Sequence, residues 1–231
     1  EDLSQLDTPK ISVFAAGNDS AAQPTAECQT MVYNDDINAV SVCVVAVSHS
    51  SLGTDGGLLA AFSNQCGKAS SYCIAAPGDR IYSLNQSGGY GFQSGTSMAA
   101  PMVSGGLALI MQEFSSLTPA QVVSRLFTTA NDTSEYSQTA KYGHGLMNLS
   151  AATAAVANLQ TINGSNLLDA PNTSYKDLVN NSFTSSAAFS NAINSALDGK
   201  VMEVYDSFDR ANFEVKVSDF FSSGSYVSQN T

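Results

Sequence analysis

Histidine is nearly missing from this chain, with two among 231 residues, and tryptophan is absent altogether. Lysine and arginine number nine against twenty Asp and Glu, and charged residues make up only 13% of the sequence. A net charge of −11 with no basic cluster argues against nucleic acid and anionic lipid as partners, because both are polyanions. No apolar run approaches the ~18 residues of a membrane-spanning helix. The first residues, Glu1-Asp2-Leu3-Ser4-Gln5, lack the basic start and apolar core of a signal peptide. The cysteines at 28, 43, 66 and 73 include no CxxC pair, so neither a zinc site nor a dithiol redox motif is indicated. Asp35-Asp36 is too short for a calcium loop and reads as a solvated turn.

What is present suits a globular α/β protein. Hydrophobic residues make up 43%, and the length allows one large domain, or one domain with a small appendage. Cys66 and Cys73 bracket a short polar loop that a local disulfide can close. Cys28 and Cys43 are then the remaining pair, and four buried thiols are the alternative. An even count without metal spacing fits an oxidising compartment. Several Asn-x-Ser/Thr triplets occur, at Asn18, Asn131 and Asn163 among others. A glycan at Asn18 would obstruct the site described below, so they are read as composition, which favours a bacterial source.

Ile11–Ala16 and Val40–Val47 are short apolar, β-branched runs expected as buried parallel strands. Leu58–Ser63 and Cys73–Gly78 are two further short elements, and Ile81–Leu84 with Gly89–Phe92 reads as a hairpin. Ser94-Gly95-Thr96-Ser97-Met98-Ala99-Ala100-Pro101 opens a long apolar run expected to be a buried helix over residues 97–114. Pro101 places the start of that helix near Ser97. A serine there lies beside unpaired backbone N–H groups and the positive end of the helix dipole. An N-cap is the plain reading of such a residue. Thr118-Pro119-Ala120-Gln121 is a capping-box helix start, and Ser150–Leu159 is expected to be helical. Beyond Thr161 the composition turns to Asn and Ser, with a helix expected from Ser186 to Gly199. Alternation of Phe213, Val215 and Val217 with polar residues indicates a half-buried strand. A domain boundary is placed near residue 160.

Gly95-Thr96-Ser97-Met98-Ala99-Ala100-Pro101 resembles the nucleophile motif of the subtilisin-like (subtilase) serine proteases. Ala15-Ala16-Gly17-Asn18 resembles the segment carrying that family's oxyanion-hole asparagine, 79 positions earlier (97 − 18). Tyr142-Gly143-His144-Gly145-Leu146-Met147-Asn148 is similar to the glycine-rich close of the same catalytic domain. The resemblance implies a three-layer α/β fold with a mainly parallel sheet, of which residues 1–160 would be the C-terminal half. Residues 161–231 would form a small α+β extension or linker. Val204–Arg210 resembles the segment joining a subtilase passenger to its barrel in bacterial autotransporters, and a generic extension packed on the catalytic domain is the alternative.

By the same resemblance Ser97 is the nucleophile, with Asn18 and the Ser97 N–H as oxyanion donors. The strand Phe14–Gly17 forms a wall of the substrate pocket, where small residues leave room for a large apolar side chain, and Ala15, Ala16, Gly17, Gly95 and Thr96 are expected to bind substrate. The family places its Asp and His upstream of the asparagine, and neither motif occurs in the 17 residues before Asn18. His49, after the second strand, is expected in a surface loop, and His144 in the closing segment is expected to be structural. A peptidase acting on peptide or protein substrates is therefore expected, exported by a Gram-negative bacterium to its surface or medium. An associated N-terminal fragment, produced by cleavage before Glu1, would supply Asp and His. A catalytically inactive, protease-derived binding or structural module is the alternative. An α/β-hydrolase esterase is disfavoured because Gly95–Ala99 lacks the second glycine of the nucleophile elbow. No cofactor is expected; calcium is common in the family, but no site for it is identifiable.

Overall fold

The computed structural model describes residues 10–30, 35–48, 58–157, 159–160, 183–185, 195, 198–216 and 221–223. Residue contacts divide the chain into two units, Glu1–Thr153 and Ala154–Thr231.

In the first unit, β1 (Ser12–Ala15), β2 (Ser41–Val47) and β3 (Cys73–Pro77) form a parallel sheet in the order β1-β2-β3. Between β1 and β2 lie the short helices α1 (Ala26–Thr30) and α2 (Asp35–Asn38). Asp35-Asp36 begins α2, a single helical turn. Every residue of β2 is buried, as a central strand covered on both faces requires. Cys43, Val45 and Val47 join Tyr72, Ala75, Tyr136 and Tyr142 in one core cluster. Val42, Val44 and Ala46 alternate to the opposite face, against which α3 (Thr96–Glu113) packs with Ala99, Val103, Gly106, Leu107 and Ile110 buried. A layer therefore covers each face of the sheet, and the fold is subtilisin-like α/β.

The structure pairs Cys28 with Cys43 and Cys66 with Cys73, at Cα separations of 5.5 and 5.8 Å. Leu58–Ser63 is not a strand. It meets β2 through an isolated bridge from Leu59 to Val47 and through the Ser63 hydroxyl, which accepts the Ala46 N–H at 3.0 Å, and the Leu59 N–H donates to the Tyr142 hydroxyl at 3.1 Å. The hairpin is present as β4 (Ile81–Leu84) and β5 (Tyr90–Gln93), paired antiparallel. Tyr82, Leu84, Tyr90 and Phe92 stand on one face, all of them exposed. Helix α4 (Pro119–Thr128) begins on the expected capping box: Thr118 accepts from the Gln121 N–H, and the Gln121 side chain accepts from the Thr118 N–H.

Helix α3 begins one residue earlier than expected, which puts Pro101 at its sixth position rather than in the first turn. Only the first four N–H groups of a helix lack an intrahelical acceptor, so Pro101 forfeits one bond, that to the Ser97 carbonyl.

The segment after α4 runs through α5 (Thr139–Tyr142) and α6 (Leu149–Ala152). Gly143, at φ +61°, lies so close to β3 that a methyl group there would run into the Cys73 carbonyl. Gly143→Ala is expected to cost about 2–5 kcal/mol from combined backbone strain and steric overlap. A lower denaturant midpoint with unchanged slope checks this; an unchanged midpoint refutes it.

Helix α6 stops at Ala152, seven residues short of the expected end. The N–H groups of Val156 and Ala157 donate instead to the buried Asp206 carboxylate. In the second unit β6 (Leu159–Gln160), β8 (Val201–Asp206) and β9 (Asn212–Lys216) make an antiparallel sheet, and β7 (Phe183–Ser185) pairs with β10 (Phe221–Ser223). The strand expected around Phe213 is β9, with Val215 buried and Glu214 exposed. Asp206 and Asp209 tie its turn, accepting from the N–H groups of Phe208 and Ala211 at 2.8 and 3.0 Å. Val217, most of the expected 186–199 helix and Asn163 lie outside the described residues.

Candidate active site

Parallel strands end on one side of a sheet, and there the chain must leave the core through loops whose side chains can face solvent. Beyond β1 the loop Ala16–Ala21 carries Asn18. Beyond β3, the Gly78 carbonyl accepts the Gly95 N–H at 2.8 Å, which brings the start of α3 beside that loop. Asn18 and Ser97 are both exposed, while Thr96 between them is fully buried.

Thr96 joins the two segments. Its N–H and its hydroxyl both donate to Asn18 Oδ1, at 2.9 and 3.0 Å, and Thr96 Oγ1 accepts the Gly17 N–H at 3.1 Å. Two donors on Oδ1 settle which way the amide faces, so Nδ2 is turned outward. It has no hydrogen-bond partner among the described residues. Neither has the Ser97 N–H, which as the second residue of α3 has no intrahelical acceptor. A methyl group built on Gly95 would lie 3.6 Å from Asn18 Nδ2 and 3.7 Å from Ser97 N. Asn18 Nδ2 and the Ser97 N–H therefore lie on either side of the same methyl position, with Met98 Sδ also 3.5 Å from it, at the positive end of an 18-residue helix. An anion placed there is stabilised by both donors and by the helix dipole. Ser97 is not the cap of its helix: Gly95 holds that position, which leaves the Ser97 hydroxyl free of a capping role.

The other expected residues are placed as follows. Of the residues expected to bind substrate, Ala15 and Gly17 are half-buried, while Ala16, Gly95 and Thr96 are buried and have no exposed side chain to offer a ligand. His144 Nε2 lies 2.9 Å from the Ser71 carbonyl, and its ring stacks on Phe127 at 4.3 Å. Its backbone N–H donates to the carbonyl of Cys73, at the start of β3. Gly95, two residues before Ser97, is bonded to Gly78 just past the other end of that strand, about 16 Å from Cys73 at the usual rise per residue, so His144 is held away from Ser97. His49 lies outside the described residues. No group of three or more metal-ligating side chains occurs among the described residues.

Asn64 is a residue the sequence reading did not single out. It is buried beneath the Asn18 loop and bonded to it through both ends of its amide. Its neighbours in sequence carry no pattern that marks it. Ser94 likewise is held by Asp79, whose carboxylate accepts from the Ser94 and Ser48 hydroxyls at 2.7 and 3.0 Å.

A parallel sheet covered on both faces, with the Asn18 loop and the start of α3 brought together at its carboxyl side, is an α/β fold of the subtilisin-like kind. Residues 3–145 match the subtilase family, peptidase family S8, and the chain belongs to it. It is 32% identical over 163 residues to the extracellular serine protease of Serratia marcescens, covering 61% of this chain and 15% of that protein. It is 28% identical over 150 residues to the neisserial autotransporter lipoprotein NalP of Neisseria meningitidis serogroup B, covering 62% of this chain and 14% of that protein. The matched stretch thus spans about one seventh of the length of these relatives. Among solved structures, one described under the structural basis of subtilase cytotoxin SubAB assembly aligns with a TM-score of 0.54 at 24% identity. That alignment covers 64% of this chain and 49% of the other, and it supports the fold.

Proposed function

We propose that this chain carries the nucleophile and the oxyanion donors of a serine endopeptidase. The observation that carries this reading is that Asn18 Nδ2 and the Ser97 N–H, neither with a partner among the described residues, lie within 4 Å of one point beside Gly95, and that Ser97 is exposed. Ser97 Oγ attacks the peptide carbonyl carbon and its proton passes to a base. The carbonyl oxygen becomes an oxyanion between the two N–H donors. The C–N bond then breaks, the amine leaves with the proton, and the acyl group stays on Ser97 as an ester. Water, deprotonated by the same base, hydrolyses that ester and restores the serine.

The base and its orienting carboxylate come from polypeptide outside this chain. In support, His144 is held at the far end of β3. β1 is the outer strand of its sheet among the described residues, and an unpaired strand edge recruits another strand. A groove of about 280 Å³ lies between the β1 segment and α3, lined by Ile11, Val13, Leu107 and Met111 among others. Export from a Gram-negative bacterium, as part of an autotransporter passenger, is supported by the relatives' names and by the two disulfides. The substrates are peptides or proteins.

Reaction of the purified native protein with a fluorophosphonate probe tests the nucleophile. Labelling at Ser97 is expected, and no labelling favours the inactive, protease-derived module. Native mass spectrometry tests the partner: this sequence is expected within, or bound to, further polypeptide that carries the His and Asp. A fully active species of 24.0 kDa refutes that.

A further inference from the structure

Asn64 has a side chain 2% exposed, and its amide is directed wholly at the loop that carries Asn18. Oδ1 accepts from the N–H groups of Asp19 and Ala21, each at 2.9 Å. Nδ2 donates to the Ala16 carbonyl at 3.0 Å, and the Asn64 N–H donates to the Gly17 carbonyl at 2.9 Å. Residues 16, 17, 19 and 21 are thus each bonded to this one residue. Ser20 is tied alongside, its N–H to the Phe62 carbonyl at 2.9 Å and its hydroxyl to the Ala61 carbonyl at 2.6 Å. Asn18 is the member of the loop that this segment leaves unbound, and its amide turns to Thr96 instead. Gly17, at φ +102°, completes the fit, because a methyl group there would strike the Asn64 amide.

We propose that Asn64 is the positioning residue for the oxyanion donor: it fixes the backbone on both sides of Asn18, and so sets where Nδ2 stands relative to the Ser97 N–H. The inference rests on the reading of Asn18 and Ser97 given above. The chemistry of the amide explains why asparagine is required. The loop offers two N–H donors and one carbonyl acceptor to a single buried position, and a primary amide answers both kinds at once. Aspartate places an oxygen against the Ala16 carbonyl. Alanine leaves the Asp19 and Ala21 N–H groups without their acceptor. In either variant the loop relaxes and Nδ2 moves from its place. Displacement by about 1 Å costs roughly 100-fold in rate.

The test uses the native protein carrying Asn64→Asp or Asn64→Ala, each alone and combined with Asn18→Ala. Steady-state kcat and KM are measured beside a thermal melt that establishes folding. The expected result is a fall in kcat of about 100-fold with KM within about 2-fold. In the Asn18→Ala background the same substitution costs less than about 3-fold more, because the group it positions is gone. Equal losses with and without Asn18, or a raised KM at unchanged kcat, would overturn the proposal. Should Asn64→Ala not fold, Asn64→Ser, which keeps a hydroxyl acceptor, is read against the same outcomes. The two readings fail differently: an Asn18→Ala protein with full activity removes the oxyanion assignment itself. A crippled Asn18→Ala with additive Asn64 effects removes only the role of Asn64.

Discussion

Ser97→Ala is expected to abolish fluorophosphonate labelling and to lower peptide hydrolysis by about a million-fold, a magnitude measured in subtilisin itself. Of the hydroxyls in this segment, that of Thr96 is buried and bonded to Asn18 and that of Ser94 is held by Asp79, while Ser97 is exposed. The probe reacts when Oγ attacks phosphorus, a P–O bond forms and fluoride leaves. Alanine has no atom with which to begin that exchange. The fold is expected to survive, since Ser97 is exposed, does not cap its helix, and alanine favours helix more than serine does. A melt within about a degree of the parent, beside complete loss of labelling, is the combination anticipated. The residual rate is that of the oxyanion donors and substrate binding acting without a nucleophile. Labelling of the Ser97→Ala protein at undiminished rate would mean that another residue is the nucleophile, and would end the assignment.

Asn18→Ala is expected to lower kcat by about 100- to 1000-fold, or roughly 3–4 kcal/mol, with KM little changed; subtilisin is again the source of that magnitude. The split between the two constants follows from when the charge appears. A ground-state carbonyl carries little negative charge, so the Nδ2 donor contributes little to substrate binding. As Oγ adds, the oxygen becomes an anion, and the donor then stabilises it in a site already organised to receive it. The substitution also removes Oδ1, which accepts from both the N–H and the hydroxyl of Thr96. Some loss of stability is therefore expected with the loss of rate. Asn18→Asp separates the two effects: it retains an acceptor for Thr96 but places an anionic oxygen beside the developing oxyanion. Its kcat should fall at least as far as that of Asn18→Ala. A kcat above that of Asn18→Ala would show that the amide acts by holding Thr96 rather than by donating to substrate.

Much of this site could be read from the chain before any coordinates. The seven residues Gly95–Pro101 and the tetrapeptide Ala15–Asn18 point to the two halves of the chemistry. The apolar runs at 11–16, 40–47 and 73–78 place parallel strands, and Thr118 with Gln121 marks the start of α4. These are local signals, in which each residue's neighbours in sequence are also its neighbours in space. Propensity failed where a distant group intervened. The Ala-rich stretch after Ser150 stops being helical at Ala152, because the N–H groups of Val156 and Ala157 are taken by an aspartate 49 and 50 positions away.

By itself, then, the sequence determined the family, the three parallel strands and the hairpin of the first unit, and it singled out Asn18 and Ser97. Only the tertiary structure decided how Asn18 is held: through Thr96, 78 positions along the chain, and through Asn64, 43 and 45 positions from the N–H groups it accepts. The physical reason is that a buried amide must find its partners wherever folding brings them. No spacing or periodicity within the chain encodes which loop will arrive above a given asparagine.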